Sequence, residues 1–498
     1  VAPQVSGDAA SLYQTRCASG DLGDIIILDN ADMQDCVDVG LIADISEDLP
    51  NYENLMKYDE QISLFNDSIN EVIGTEGVYA IPAEMNSNGP TEYKEDTVAV
   101  MPRLEWDHYV EVGAPEMKNL DDLLDTLKKI QDAYPTNEAG DKTYALSLWP
   151  DWDGTSIENV NQLTKWYGQE VNGSILLGTD NSITPLTDKD GAYYKMLKFL
   201  YKANQMGLVD PDSATQDWNA ACDKMRQGRV HLFWYNWQYG FWNSPAKGEA
   251  RQNYRGIPLE DLNIYQASDT YYGDGRAWAV GSNVSDEDKA RILEFMDWLC
   301  SPEGLTMQHI GQKGFIYTVN DDGTYTLTDA GMTRFADDPQ VPEELGGGSW
   351  TDGNNQINQW LVASIEMNPE TGETFGSDYW ASFLEKNNTA TNKEWSEKFG
   401  SETEVSYLEE NGMLNIVPNV NLVLPIDTTD IALIRSQCGD QVKATSWQAI
   451  FASDDAEFDQ MWDEMCVTLE GLGWDQLVEF DTDKYQAVVD AREAAVAE

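Results

Sequence analysis

The chain has 498 residues, and its 31 Lys and Arg residues against 88 Asp and Glu residues give a formal net charge of −57. A field of this sign repels nucleic acids and anionic membrane surfaces, which argues against both as partners and favours a neutral or cationic ligand. Hydrophobic residues make up 41% and aromatic residues 11% of the chain, which predicts a folded protein of two or more lobes and excludes an acidic disordered chain.

Two predicted strands near the N-terminus are followed by polar loops. Residues 25–28 are four consecutive apolar residues after a turn, which predicts a buried strand. Residues 77–82 predict a second strand. Because ligands of open α/β sheets bind beyond the carboxyl ends of strands, the polar stretches 29–32 and 83–89 are candidate ligand loops.

Amphipathic helices follow along the chain. Asn119 is positioned to cap one helix, and Ser285 to cap another over residues 286–300. The predicted buried face of the second helix consists of Ile292, Phe295, Met296 and Leu299. Residues 458–469 predict a third helix, while residues 320–425 are the least regular part of the chain, with a hairpin turn at 320–324. This alternation of strands and helices indicates an α/β fold.

Three segments mix aromatic rings with polar side chains, a combination that binds carbohydrate because sugar faces stack on rings while hydroxyls bond to carboxylates. Residues 147–154 contain Trp149, Asp151, Trp152 and Asp153. Residues 233–242 hold seven aromatic residues, more than one strand face can bury, so we expect at least one to line a cleft. Residues 271–278 supply Asp274, Arg276 and Trp278, and Trp350 is a further candidate. Any single ring is also compatible with a core position.

Catalytic and metal-binding motifs do not emerge from the sequence. Three histidines, none at ligand spacing from another His or from a Cys, argue against a zinc site and against His-dependent nucleophilic catalysis. We therefore expect no metal, no cofactor and no catalytic residue. The six cysteines are too sparse for a disulfide scaffold but leave one or more disulfides open.

Glycoside hydrolysis remains the enzymatic alternative. It would use a pair of carboxylates such as Asp151 and Asp153, or Asp29 and Asp32. A hydrolase requires a set distance between its two carboxyl groups, and the sequence does not supply that distance. In so acidic a chain, neighbouring carboxylates are weak support for catalysis.

Three motifs in order resemble extracellular solute-binding proteins of bacterial ABC importers, the carbohydrate-type group (family 1) that includes the maltose-binding protein. Residues 18–26 resemble the family signature A-S-G-D-x-P-D-I-I, with Gly23 in place of the Pro. Residues 77–82 resemble the strand G-K-x-Y-A-I-P, and residues 299–304 resemble the helix start L-x-S-x-E-G. The resemblance covers residues 10–320 well and 320–425 poorly.

This resemblance implies an α/β, two-lobed periplasmic-binding-protein-like type II fold with the ligand cleft between the lobes. Lobe I would consist of residues 1–91 and 275–325, and lobe II of 92–274 and 326–498 with the irregular elaboration. The family also has a first strand and helix ahead of the segment that matches Val1. We expect those elements to be missing from the lobe.

The family's binding positions can be carried over to this sequence. They imply Asp29, Asn30 and Asp32 after the first strand, Glu84 and Asn86 after the second, the segment from Trp149 to Asp153, and Trp237 as a stacking ring. The implied function is capture of a neutral sugar, most simply an oligosaccharide, for delivery to ABC permeases. The implied protein is an extracellular, lipid-anchored monomer without enzymatic activity. A glycoside hydrolase and a non-transporting glycan-binding surface protein are the alternatives.

Overall fold

A computed structural model describes residues 9–354 and 359–497 of the chain. The α-helices are α1 (Ala9–Ser19), α2 (Asn30–Asp38), α3 (Asp59–Ile73), α4 (Trp106–Glu111), α5 (Leu120–Ala133), α6 (Glu158–Thr164), α7 (Ala192–Gln205), α8 (Trp218–Arg226), α9 (Pro245–Glu249), α10 (Asp286–Leu299), α11 (Pro302–His309), α12 (Asp329–Met332), α13 (Arg334–Asp337), α14 (Trp350–Asn354), α15 (Ala381–Asn387), α16 (Ala390–Phe399), α17 (Glu404–Glu410), α18 (Thr429–Ile450), α19 (Asp455–Leu472) and α20 (Trp474–Ala497). Short 3₁₀ helices span Leu49–Asn51, Leu55–Tyr58, Asn236–Phe241, Glu343–Leu345 and Ser377–Tyr379.

The strands are β1 (Ile25–Asp29), β2 (Ile81–Pro82), β3 (Val100–Glu105), β4 (Gln169–Asn172), β5 (Ile175–Gly178), β6 (Ile183–Pro185), β7 (Leu232–Tyr235), β8 (Tyr254–Gly256), β9 (Ile264–Ala267), β10 (Arg276–Val280), β11 (Tyr317–Val319), β12 (Tyr325–Leu327) and β13 (Leu414–Val417). Over the described residues they form small sheets in the orders β1-β10-β2, β7-β3-β8, β4-β5-β6, β13-β9 and β11-β12. The fold is α/β and two-lobed, as the sequence predicts.

The sheet of the first lobe lies between two hydrophobic clusters. Trp278 and Val280 of β10 belong to one cluster, and Ala277 and Ala279 belong to the other, because successive strand residues point to opposite faces. Helices α3 and α10 contribute side chains to these clusters. The segment after residue 358 also joins them, through Leu361, Val362 and Phe375.

The sheet of the second lobe lies in the largest core of the molecule. Strands β3 and β7 pack there against α5, α6, α7, α18 and α19. Apolar residues of α5 recur on one face, and the side chain of Asn119 accepts hydrogen bonds from the backbone N–H groups of Asp121 and Asp122. The predicted capped helix is therefore confirmed, as is the cap of α10 by Ser285.

Two strand predictions need correction. In β1, Ile25 and Ile27 are each 39% exposed, because β1 is the edge strand of its sheet and only its other face packs on the core. The strand predicted over 77–82 is limited to β2. The side chain of Asn66 bonds to the backbone N–H groups of Tyr79 and Ala80 and to the carbonyl of Ala80, so this segment does not pair along a strand.

Two further differences concern the C-terminal half. Phe295 was predicted on the buried face of α10 but is exposed and stacks on Trp298, because it lies beyond the edge of the buried stripe. Residues 320–425 are more regular than predicted. Their described part contains the predicted hairpin turn between β11 and β12, six α-helices, two 3₁₀ helices and a small core with Trp350 and Trp380.

Two further findings concern the state of the cysteines and the length and apolar character of the helices. All six cysteines are free, and each lies in the part of the chain that the structure describes, which resolves the open question of disulfides. None of the helices within residues 9–354 and 359–497 has both the length and the apolar character that crossing a bilayer requires.

Candidate functional site

One edge of the first-lobe sheet gathers predicted site residues. Antiparallel pairing places Asp29, at the end of β1, opposite Arg276, at the start of β10. The Nε of Arg276 donates to Oδ1 of Asp29 at 3.0 Å. The backbone N–H of Asp274 donates to the carbonyl of Ala83, which brings the loop after β2 to the same edge. Residues that are far apart in sequence thus meet at one end of the sheet.

Loops from distant parts of the chain border this edge. Asn30 donates through Nδ2 to Oδ1 of Asn421 at 2.6 Å, and Asn421 donates to the carbonyl of Tyr272 at 3.0 Å. On the other side, Asn88 donates to Asp269 at 2.8 Å. These amide contacts connect loops of the first-lobe sheet to residues around 269–272 and 421, and we call this connected region the floor of the candidate site.

The floor carries the carboxyl groups of Glu84 and Glu95, which are half-buried, and of Asp274, which is exposed. Burial, with added repulsion from Asp274 and Glu95, raises the pKa of Glu84 well above its ordinary value. Burial, with repulsion from Asp269, Asp378 and Asp96, raises the pKa of Glu95 to about 7. Near pH 7 the carboxyl of Glu95 therefore occurs in both its protonated and its ionised form, so it can donate as well as accept a hydrogen bond.

The second-lobe sheet presents aromatic rings at its end. Strand β7 ends at Tyr235, opposite Val100 at the start of β3. The side chain of Gln238 accepts hydrogen bonds from the backbone N–H groups of Trp234 and Tyr235, which turns the chain into the 3₁₀ helix Asn236–Phe241. This turn places Trp237 beyond the strand, where its side chain is 42% exposed.

Four rings form a continuous surface, which we call the aromatic platform: Trp152, Trp218, Tyr235 and Trp237. Trp237 stacks on Tyr235 with ring centres 4.7 Å apart and an interplanar angle of 25°. The ring centre of Trp152 lies 6.1 Å from that of Trp237 and 4.5 Å from that of Trp218. Trp152 and Trp237 are the exposed members, at 40% and 42%. They offer adjacent rings to a bound molecule.

The platform rests on a buried layer. Trp149 is fully buried and stacks on Trp234, with ring centres 5.4 Å apart and an interplanar angle of 8°. Trp149 also contacts Trp152 and Trp218, at 5.2 and 4.7 Å. The buried rings therefore fix the positions of the exposed ones.

The two aspartates of the same segment shape the platform through hydrogen bonds. Oδ2 of Asp151 accepts from the backbone N–H of Trp218 at 2.7 Å, next to the start of α8. Asp153 accepts from the N–H of Glu158 at 2.9 Å and from Nε1 of Trp447 at 2.7 Å. Their carboxylates are used within the protein, so the structure does not present them as a free catalytic pair.

A buried ion pair anchors the helix that carries Trp237. The side chains of Arg103 and Glu404 are fully buried, with Nη2 of Arg103 3.1 Å from Oε2 of Glu404. Glu404 also accepts hydrogen bonds from the hydroxyl of Tyr239 at 2.5 Å and from the N–H of Gly256 at 2.8 Å. This network ties α17 to β3, to β8 and to the residue two positions after Trp237.

Several predicted site residues are buried or held by contacts within the protein. Asn86 is fully buried, and its Oδ1 accepts from the N–H of Asn88, so it holds its own loop. Trp278 is buried and donates to the carbonyl of Gln359 at 2.9 Å. Trp350 is buried against Phe335 in the small core. Asp32 lies on α2 and its half-buried carboxylate bonds to Tyr13 of α1.

Other residues of the site were not singled out from the sequence. Trp218 and Tyr235 belong to the platform, and Glu95 and Asp269 belong to the acidic floor. Trp218 follows an acid-rich loop that looks like ordinary solvated surface. Its neighbour Asp151 is 67 positions away, so the only signal was the high tryptophan content of the chain.

Comparison with known proteins identifies the family to which this chain belongs. Residues 3–306 match the family of bacterial extracellular solute-binding proteins. This stretch is more than half of the chain and includes all three sequence motifs. No curated protein shows a sequence match to this chain.

Solved structures with the same fold cover nearly the whole chain. The Streptococcus pneumoniae ABC-transporter substrate-binding protein FusA, in complex with kestose, has 18% identity and a TM-score of 0.58, covering 97% of this chain and 92% of its own. A human-milk-oligosaccharide (HMO)-binding solute-binding protein from Bifidobacterium longum infantis has 16% identity and a TM-score of 0.57, covering 97% and 91%. The alginate-binding protein AlgQ2 has 15% identity and a TM-score of 0.61, covering 98% and 90%. At these identities the likeness establishes the two-lobed fold.

Proposed function

Because the chain belongs to the bacterial extracellular solute-binding protein family, we propose that it captures a neutral oligosaccharide and delivers it to the permeases of an ABC importer. The observation that carries the proposal is the pair of exposed indoles of Trp152 and Trp237, 6.1 Å apart at the end of the second-lobe sheet. Adjacent exposed rings on a buried aromatic layer suit a ligand with successive apolar faces. An oligosaccharide has this form.

The acidic floor supports a neutral ligand. Asp274 and Glu95 both lie close enough to Glu84 for their negative charge to raise the pKa of its carboxyl, in addition to the effect of burial. A uronic-acid polymer would add like charge to this floor and to a chain of net charge −57. A neutral sugar instead exchanges hydrogen bonds with carboxylic acids and carboxylates alike. The same-fold proteins that bind kestose and milk oligosaccharides support this class of ligand.

The other features of the proposal follow from a binding role. The site offers a platform and hydrogen-bonding groups rather than a free pair of carboxylates, so we propose binding without catalysis. We also propose an extracellular monomer, held to the membrane surface by a lipid anchor and working with two permease subunits.

The domain boundaries stay a proposal: lobe I would consist of residues 1–91 and 275–325, and lobe II of residues 92–274 and 326–498. The packing of Leu361 and Val362 in the first-lobe core favours assigning their segment to lobe I.

A thermal-shift screen tests the proposal. Neutral oligosaccharides, uronic-acid oligosaccharides, peptides and polyamines are each added to the whole protein. We expect a neutral oligosaccharide to raise the melting temperature, because a ligand that binds only the native state adds about 2.7 kcal/mol of stability at 100 times its Kd.

The same samples then distinguish binding from catalysis. Chromatography after long incubation should recover the stabilising sugar intact. Stabilisation by polyamines or peptides but by no sugar would contradict the oligosaccharide assignment. Cleavage of the sugar well above the uncatalysed rate would instead support the glycoside hydrolase alternative.

A further inference from the structure

A pocket outside the aromatic platform lies between α20, the strands β4 and β9, and residues 418–422, which follow β13. Its volume is about 200 Å³. Asn419 and Tyr485 line it and are half-buried, so the pocket reaches the protein surface. A cavity of about 150 Å³ in another protein is large enough to hold benzene. This pocket therefore has room for a molecule slightly larger than a benzene ring.

Two polar residues that line the pocket have hydrogen-bond donors without acceptors. Arg492 of α20 is only 6% exposed, and its Nε and Nη1 have no partner within the part of the chain that the structure describes. The same holds for Nδ2 of Asn172, at the end of β4. A buried donor that lacks an acceptor costs free energy, and a bound molecule removes that cost. Because all three atoms are donors, the matching group is an acceptor.

The contacts of Arg492 leave one positive charge in excess at the pocket. Nη2 of Arg492 donates to the hydroxyl of Tyr265 at 2.5 Å and lies 3.8 Å from Oε2 of Glu170, which is too far for a hydrogen bond. Oε2 of Glu170 instead accepts from the hydroxyl of Tyr265 at 2.9 Å. Its Oε1 lies 3.1 Å from Nζ of Lys165. Two cations therefore share one carboxylate.

Charges further from this guanidinium do not cancel the excess. Asp427 and Asp481 are both paired with Arg435, and Lys484 lies near the same three groups, so these four side chains balance one another. At physiological ionic strength, charges in water are screened beyond about 8 Å. The net charge of −57 therefore does not decide what binds beside Arg492.

The rest of the pocket wall is largely apolar. Leu177 of β5 and Val488 of α20 are buried there, and Val420, Leu422 and Leu424 pack against the same small cluster. Apolar side chains of this kind suit a hydrocarbon group rather than a hydroxylated ring. The pocket thus combines a cationic, donor-rich end with an apolar wall.

We propose that this pocket is a second ligand site, which binds a small monocarboxylate with an apolar tail. The carboxylate would accept hydrogen bonds from Arg492 and Asn172, while the tail would lie against Leu422 and its apolar neighbours. A hydrogen bond between a guanidinium and a carboxylate is charge-assisted and stronger than one between neutral groups. The ligand differs in charge and polarity from the neutral oligosaccharide proposed for the platform.

The test is calorimetric titration of the whole protein with benzoate and, separately, with benzamide, a neutral probe of nearly the same shape. The buffer contains no other carboxylate. We expect one benzoate per chain and binding of benzamide that is weaker by about tenfold or more, because hydrogen bonds to charged groups are the stronger ones. Arg492→Gln should weaken benzoate binding by a similar factor.

A pocket-filling variant keeps the test independent of the buried arginine. Leu422→Trp enlarges a half-buried side chain of the pocket wall and should abolish benzoate binding in a protein that still folds, as a melting curve verifies. Leu433→Trp is the matched control, because Leu433 is 59% exposed on α18, and it should bind benzoate normally. The proposal would be overturned by no saturable binding of benzoate, by equal binding of benzamide, or by equal affinity in the Leu422 and Leu433 variants.

Discussion

Glu404→Ala is expected to lower the free energy of unfolding by about 3–5 kcal/mol, because it leaves Arg103 as an uncompensated charge in the core. The side chains of both residues are fully buried in the same network. The substitution also removes the acceptor for Tyr239 and Gly256. Chemical denaturation of the variant measures the loss. Because Tyr239 lies two residues after Trp237, ligand affinity should fall as well.

The control for this prediction is Glu402→Ala, two positions earlier and exposed. Surface changes of this kind usually alter stability by about 0.5 kcal/mol or less. Equal unfolding curves for the two variants would show that the buried pair contributes little.

The same network predicts how stability depends on pH. Burial alone raises the pKa of Glu404, but attraction to Arg103 and Arg255 and hydrogen bonds from Tyr239 and Gly256 outweigh it and leave the pKa below its ordinary value. A carboxyl with a lowered pKa in the folded state stabilises the protein above the pKa of the unfolded chain. That contribution is lost as the pH falls through the folded-state value. The Glu404→Ala variant should therefore lose less stability on acidification than the unaltered protein.

Trp149→Ala is expected to cost a similar amount, about 3–5 kcal/mol of stability, through lost burial and the cavity that remains. Trp149 is fully buried between Trp234 and the exposed rings, at 5.4 Å from the first and 5.2 Å from Trp152. Its loss removes the support under the platform. Thermal unfolding measures the stability, and calorimetry at a temperature where the variant is folded measures affinity.

Trp152→Ala is the matched change in the same segment. It should destabilise the protein far less, because 40% of the side chain already contacts solvent, yet it should weaken ligand binding. If instead Trp149→Ala left stability unchanged while Trp152→Ala unfolded the protein, the assignment of one ring to the core and the other to the surface would be wrong.

The fold was predictable where local chemistry decides the structure. The caps at Asn119 and Ser285 and the apolar stripes behind them are local signals, and both helices form as expected. The segment 77–82 shows the limit. Its composition predicts a full strand, but Asn66, which is 13 positions before Tyr79, takes over its backbone hydrogen bonds. Pairing with a distant side chain leaves no trace in the local pattern.

The site was predictable to a similar degree. The seven aromatic residues of 233–242 predict that at least one ring lines a cleft, since one strand face cannot bury so many. Trp237 of this segment is 42% exposed, and its contact with a ligand stays a prediction. The same reasoning did not separate Trp149 from Trp152, which are three positions apart and differ only in the packing of distant residues against them.

Calorimetric titration of the Trp237→Ala variant with the best neutral oligosaccharide tests the central claim most directly. Trp298→Ala is its control, because Trp298 is a half-buried tryptophan that, like Trp237, has a stacked aromatic neighbour, but it lies on α10 of the first lobe. We predict that Trp237→Ala loses roughly 1–3 kcal/mol of binding free energy, about tenfold or more in Kd, while Trp298→Ala binds normally. Unchanged affinity in the Trp237 variant, with only its stability reduced, would contradict a carbohydrate site built on the aromatic platform.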